Sequence, residues 1–156
     1  DLTFGWQNNF TWKNWDFSFF FRGTIGNKVL NNPRAAYANN TYLIGTNALD
    51  DELTYTMKES SRVCSYYLEN GSFIRLDNLA LGYTFDTKKI NWLDKARLYF
   101  AAQNLFVITG YKGLDPEVEL FRGESSDTDA GLSPGIEPRQ FFPKARTFTL
   151  GVNLTF

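Results

Sequence analysis

Residues 147–156 alternate without a break, and that alternation constrains this chain more than any other feature. Phe148, Leu150, Val152, Leu154 and Phe156 are apolar, whereas Thr147, Thr149, Gly151, Asn153 and Thr155 are small or polar. A period of two sends successive side chains to opposite faces, so the stretch reads as a strand with one greasy face. The pattern recurs at the other end of the chain. Leu2, Phe4, Trp6, Phe10 and Trp12 alternate with Thr3, Gly5, Gln7, Asn9 and Thr11. After Lys13-Asn14 the parity flips: Trp15, Phe17, Phe19 and Phe21 are apolar, and Asp16, Ser18 and Arg22 are polar, with Phe20 the exception. Two alternating runs separated by two residues read as a tight hairpin. Two further strands put Leu79, Leu81, Tyr83 and Phe85, then Leu98, Phe100, Ala102 and Phe106, on their greasy faces. Strands are therefore expected near 2–12, 15–26, 72–85, 96–107 and 146–156.

The connections alternate short and long. Residues 13–14 and 86–95 are short links, while 23–70 and 107–145 are long, irregular and rich in Asn, Asp, Pro and Gly. The first long loop has room for a short helix near 51–62. Loops of that length are uncommon in a compact soluble domain and ordinary on the outer face of a membrane barrel. Aromatic residues make up 17% of the chain, and Trp12, Trp15, Tyr83, Phe85, Trp92 and Phe156 fall near the short-link end. Rings of that kind gather where lipid tails meet head groups. The mean hydropathy is only -0.33. Alternating strands average out, so the value does not argue against a membrane. The expected fold class is all-β: the C-terminal five antiparallel strands of a large transmembrane barrel with two long extracellular loops.

Five strands cannot close a barrel around polar side chains, since about eight already fill the interior of one. An open sheet in lipid would leave edge N–H and C=O groups unpaired at several kcal/mol each. Residues 1–156 are thus expected to form part of a single barrel domain, pairing with further strands on both edges. The start at Asp1, inside a strand-like run and without a signal peptide, suggests that earlier sequence is missing. Lys+Arg number 16 against 17 Asp+Glu, so no nucleic-acid partner is indicated. The chain has no His and one Cys, Cys64, which leaves it no His-based triad, no internal disulfide and no CxxC metal site. No catalytic residue, cofactor or metal is expected.

Four stretches carry a family resemblance: 67–85 (YLENGSFIRLDNLALGYTF), 96–117 (ARLYFAAQNLFVITGYKGLDPE), 143–156 (PKARTFTLGVNLTF) and the run 10–26 containing FFFRG. Together they resemble, in order, the end of SusC/RagA-type TonB-dependent outer-membrane transporters. The resemblance implies a large barrel with an N-terminal plug, driven through TonB in the outer membrane of a Gram-negative bacterium. It also implies a SusD-like surface lipoprotein as partner and an oligomeric glycan or peptide as cargo. The strand pattern alone equally suits a siderophore receptor or a porin; a soluble aromatic-rich carbohydrate-binding sandwich, and a barrel enzyme with its catalytic base upstream, are further alternatives.

Candidate contacts with cargo or partner lie in the second long loop, where Tyr111, Phe121 and Arg122 stand near Asp115, Glu117 and the acidic tract 124–129. Rings can stack on sugar or peptide faces, and carboxylates accept hydrogen bonds from hydroxyls or amides. Asp115-Pro116-Glu117 could equally be a plain loop corner. Asp127 and Asp129 only faintly match a calcium loop. The stripe Phe17, Phe19, Phe21 reads as lipid contact, and the loop aromatics Tyr37, Tyr42 and Tyr66, like Tyr111 and Phe121, are better stacking candidates than that stripe. Phe148, Leu150, Val152, Leu154 and Phe156 form a candidate C-terminal signal for the barrel-assembly machinery, a role the resemblance supports.

Overall fold

A computed structural model describes residues 1–38, 45, 47–51, 65–87, 92–118, 135–139 and 142–156. The expected helix near 51–62 lies almost wholly outside these residues, as do Tyr42, Cys64, Phe121, Arg122 and the tract 124–129. The elements are β1 (Leu2–Trp12), β2 (Trp15–Ile25), β3 (Lys28–Leu30), α1 (Asn32–Tyr37), β4 (Leu68–Asn70), β5 (Phe73–Phe85), β6 (Lys95–Thr109) and β7 (Thr147–Thr155). They divide into two compact units. One holds Asp1–Thr24, Phe73–Ile108 and Lys144–Phe156; the other holds Ile25–Ser72 and Thr109–Pro143.

The first unit is a five-stranded sheet of order β1-β2-β5-β6-β7. Each expected strand is present, with ends displaced by no more than two residues. The β1–β2 link is the expected two-residue turn, and Lys13 takes φ +52° within it. The apolar face is built from aromatic pairs. Trp6 meets Phe19 edge-on at 5.1 Å, Phe10 lies over Phe17 at 6.2 Å, and Phe100 stacks on Phe148 at 6.2 Å. Such pairs add about 0.5–1.5 kcal/mol beyond area burial.

One irregularity explains where the alternation failed to show in the sequence. Phe20 pairs with Asn78 and Phe21 with Leu76, which leaves Asp77 as the extra residue of a β-bulge. A bulge resets the parity of the strand that carries it. C-terminal to it, Leu79 and Leu81 share the apolar face with Phe19 and Phe17; N-terminal to it, Leu76 and Ile74 take that face, and Arg75 and Phe73 turn to the other. A second irregularity is Asn104, at φ +52° within β6. Asn tolerates this left-handed region better than most residues. Its amide donates to the Lys144 and Ala145 carbonyls at 2.6 and 3.3 Å, and its side-chain oxygen accepts from Arg75.

The second unit contains what was expected to be irregular loop. β3 and β4 form a two-stranded antiparallel ribbon, with Val29 opposite Glu69. α1 begins where Asn31 caps it, its side chain accepting from the Arg34 N–H at 2.9 Å, with Pro33 in the first turn. Both residues are helix-start chemistry. The apolar core is small: Ala35, Ala38 and Tyr67, with Leu30 packed against them.

Candidate functional site

The two faces of the sheet differ in kind. On one, large apolar side chains point into open space: Leu150 is 73% exposed, Phe148 60%, Trp6 56% and Phe156 74%. On the other lie the charges. Within the five strands the charged residues are Asp16, Arg22, Arg75, Asp77, Lys95 and Arg97. Arg97 forks onto Asp16 with bonds of 3.0 and 2.5 Å, and Arg22 pairs with Asp77 at 3.1 Å. The first pair crosses over Gly82, where a methyl group would meet the Asp16 carboxylate oxygens at 2.5–2.6 Å. A larger residue there would have to push the ion pair aside. The Arg97 guanidinium also lies 5.4 Å from the Tyr99 ring centre.

That segregation is what lipid demands. An ionised side chain at mid-bilayer depth costs about 2–4 kcal/mol on the lipid face of a barrel and little on the lumen face. Near the short links the expected girdle is in place. Trp15 and Tyr83 meet at 4.7 Å, Tyr83 and Phe85 at 4.9 Å, and Trp92 stacks on Phe156 at 5.7 Å. Among the described residues no helix is long and apolar enough to cross a membrane. A sheet with this apolar face exposed and its charges gathered on the reverse, four of them in two ion pairs, is a piece of transmembrane β-barrel wall.

The loop unit is organised around two carboxylates. Glu137 is fully buried; it accepts from the Tyr111 hydroxyl at 2.6 Å and from the Leu114 N–H at 2.9 Å. Glu69 accepts from the Arg34 guanidinium at 2.9 Å, the Asn31 amide at 3.3 Å and the Lys112 N–H at 2.9 Å. Arg34 completes the set with bonds to Asp51 at 2.8 and 3.2 Å. Its hydrogen bond to Asp51, and then that to Glu69, hold its guanidinium protonated beyond its already high ordinary value. Leu30 bridges Ile136 in parallel, donating to the Gly135 carbonyl and accepting from the Glu137 N–H. Segments far apart in sequence are thereby fixed to one another.

Two of the candidate contact residues have partners inside the loop unit. Tyr111 is buried with its hydroxyl on Glu137; burial, and then that bond, push its pKa far above the usual phenol range. Asp115 is buried and accepts from the Glu117 N–H at 2.9 Å, which makes Asp115-Pro116-Glu117 an Asx-type loop corner. Glu117 stays partly exposed, as does Tyr37, and Tyr66 is well exposed. Glu137, Glu69 and Arg34 escaped the sequence reading. Their partners are contributed from distant positions, and no local spacing marks them.

No protein-family model matches the chain. Over its whole length it is 34% identical to TonB-dependent receptor P3 of Formosa agariphila and 31% identical to TonB-dependent receptor SusC of Bacteroides thetaiotaomicron, covering 16% and 15% of those proteins. It also superposes on a chain of the RagAB peptide importer in its closed-closed and open-open states. The TM-scores are 0.75 and 0.74 at 26% identity, covering 99% of this chain and 17% of that one. The chain therefore matches SusC/RagA-type TonB-dependent receptors in sequence and in fold along its entire length, while spanning less than a fifth of the proteins it matches.

Proposed function

We propose that this chain is part of one transmembrane barrel domain of a TonB-dependent importer in the outer membrane of a Gram-negative bacterium. The importer takes up an oligomeric nutrient, peptide or glycan, together with a SusD-like lipoprotein. The observation that carries this reading is the division of the sheet into an exposed apolar face and a face that holds the charges, two ion pairs among them, in a chain similar throughout to SusC-type receptors. The named relatives are receptors and an importer, and no catalytic role is assigned to any residue here. A siderophore receptor or porin would share the wall but not the likeness to SusC and RagAB.

In this reading the remaining strands and the plug lie elsewhere in the protein, and TonB acts through the plug-bearing part. Residues 23–70 and 107–145 face the cell exterior, where Glu117, Phe121 and Arg122 meet the lipoprotein or the cargo, and Tyr111 and Asp115 hold the loop that presents them. Residues Phe148, Leu150, Val152, Leu154 and Phe156 serve as the assembly signal and face lipid. The test shortens each long loop in the full-length protein and checks that barrel still reaches the membrane. Loss of lipoprotein co-purification or of growth on the cargo is the expected outcome. Retention of both after both deletions would reduce the loops to covers. Phe156→Ala should lower the amount of assembled barrel more than the uptake per assembled molecule; full surface abundance with lost uptake would remove the terminal residue from the assembly role.

A further inference from the structure

The apolar face of β7 decides which side of the strand meets lipid, but not where along β6 the strand comes to rest. Phe148, Leu150, Val152 and Leu154 lie opposite Ala102, Phe100, Leu98 and Ala96. A slip of one residue would turn the greasy side chains to the charged face, which lipid forbids. A slip of two leaves apolar opposite apolar along 96–102 and is almost invisible to that face. β7 carries no charged residue, so no ion pair within it can choose between such registers. The connection from Thr109 to Thr147 is long, and only a short turn imposes register by its own geometry. The choice falls to the polar face, between strands that already pair with one another in this chain.

One contact there is specific to a register. Tyr99 lies opposite Gly151, the one glycine of β7, and its ring rests across that residue; a methyl group on Gly151 would collide with the ring. After a slip of two, Tyr99 would face Thr149 or Asn153, whose side chains would fill the seat of the ring. An aromatic residue over a cross-strand glycine is a device that pins register. The Arg97 guanidinium, 5.4 Å from the same ring centre, is itself tied to Asp16. A second contact holds the strand once it is placed. The ladder ends at Gln103 opposite Thr147, and the next residue, Asn104 at φ +52°, leaves the regular pleat. Its amide donates to the Lys144 and Ala145 carbonyls at 2.6 and 3.3 Å, and its side-chain oxygen accepts from the buried Arg75 of β5. Asn104 thus ties the chain entering β7 to two strands at once. We propose that Tyr99 seated on Gly151 sets the register of the terminal strand, that Asn104 clasps the chain where that strand begins, and that both act as positioning residues for closure of the barrel. The inference rests on the barrel-wall reading, in which the outer edge of β7 pairs with a further strand and passes its register on.

The test uses the full-length protein in the outer membrane, with Cys64→Ser to remove the thiol of this segment. Disulfide reporters read the register. Gln103→Cys/Thr147→Cys reports the native one; Ala101→Cys/Thr147→Cys and Gln103→Cys/Thr149→Cys report slips of two in either direction. Directly opposite residues are close enough to bridge, and diagonal ones are not. Yields are taken per assembled barrel, so a variant that assembles poorly still reports. The otherwise unaltered protein should give the native crosslink alone. Gly151→Thr should raise the slipped share roughly fivefold, the effect of losing one good cross-strand pair. Asn104→Gly, which keeps the backbone turn and removes the carboxamide, should add to that slip and lower the amount of assembled barrel. Tyr99→Gly/Gly151→Tyr seats a ring on a glycine at the same cross-strand position and should restore the native crosslink. Native crosslinks alone in both Gly151→Thr and Asn104→Gly overturn the inference. Poor assembly with the register unchanged also overturns it, since these residues would then serve stability only. Slip that the swapped pair fails to correct overturns the assignment to ring and glycine. Absence of the native crosslink in the otherwise unaltered protein overturns the strand pairing and the wall reading with it, an outcome distinct from failure of the lock.

Discussion

The two units are held together by opposite means. The sheet unit keeps its ladder and places its large apolar side chains outward, so the bulk of its apolar surface is uncovered in the chain alone. The loop unit has little apolar core and instead buries Asn31, Arg34, Asp115 and Glu137 among internal hydrogen bonds. The difference teaches where each unit finds its stability. The sheet draws on its surroundings, since lipid can cover the apolar face and paired edges can satisfy the outer strands. The loop unit draws on its own polar network, which rewards completeness and punishes a single missing partner. Damage to the greasy face should therefore spare the loops, and damage to the network should spare the wall.

The largest effect is expected from Arg34→Ala in the full-length protein. Arg34 neutralises both Asp51 and Glu69 with its side chain only 11% exposed. Removing one member of a buried ionic set costs about 3–5 kcal/mol, because the partners stay buried and uncompensated. Hydrogen exchange should rise across 28–37 and 65–70 while β6 and β7 stay protected. Rapid exchange in β7 as well would show that the units are not separate in their energetics. Next comes Val152→Arg, on the exposed apolar face. A charge there should cost about 2–4 kcal/mol if the residue lies near the bilayer midplane. Assembled barrel, measured by heat-modifiable mobility, should fall sharply. Normal assembly would remove lipid from that face.

Glu137→Ala ranks third. It strips the Tyr111 hydroxyl and the Leu114 N–H of their acceptor inside a buried site. Losing a charge-assisted bond of this kind costs about 1.5–3 kcal/mol. Glu137→Gln keeps an acceptor oxygen and should recover part of the loss. Equal damage from both variants would mean that shape, and not hydrogen bonding, sets the role of Glu137.

The contrast between the units also explains what could be read in advance. Strand alternation is a local signal, so β1, β2, β6 and β7 were legible from side chains two apart. Phe73 and Arg75 were not, because the bulge at Asp77 is set by pairing with β2 and not by any residue type near it. Phe20 looked like an error until Gly5, on the polar face of β1, gave its ring a seat. In the loops the helix start at Asn31 and Pro33 was written locally and was overlooked beside the more charged stretch further on. The Glu137–Tyr111 and Glu69–Arg34 contacts span 26 and 35 residues, and no periodicity announces such pairs. Hence nothing in the sequence near Tyr111 marks its hydroxyl as buried on Glu137.

The smallest effect, and the finest test of the contrast, is Tyr111→Phe. The ring stays in place and only the hydroxyl on Glu137 is lost, so the cost should be about 1 kcal/mol. The pH dependence is more diagnostic than the size. Burial and the Glu137 bond hold the Tyr111 pKa well above its ordinary 10.0. Below that ordinary value Tyr111 is protonated in both folded and unfolded loop, and its contribution is constant. As the pH rises past it, the unfolded phenol releases its proton while the folded one retains it. The unfolded state then binds fewer protons, and stability falls with rising pH. Hydrogen exchange around 109–117 in the full-length protein should therefore accelerate above about pH 10, after correction for intrinsic exchange. Tyr111→Phe should remove that component, starting from a slightly weaker loop at neutral pH. An alkaline loosening of equal size in the variant would place its origin elsewhere, and the buried phenol would no longer distinguish the loop unit from the sheet.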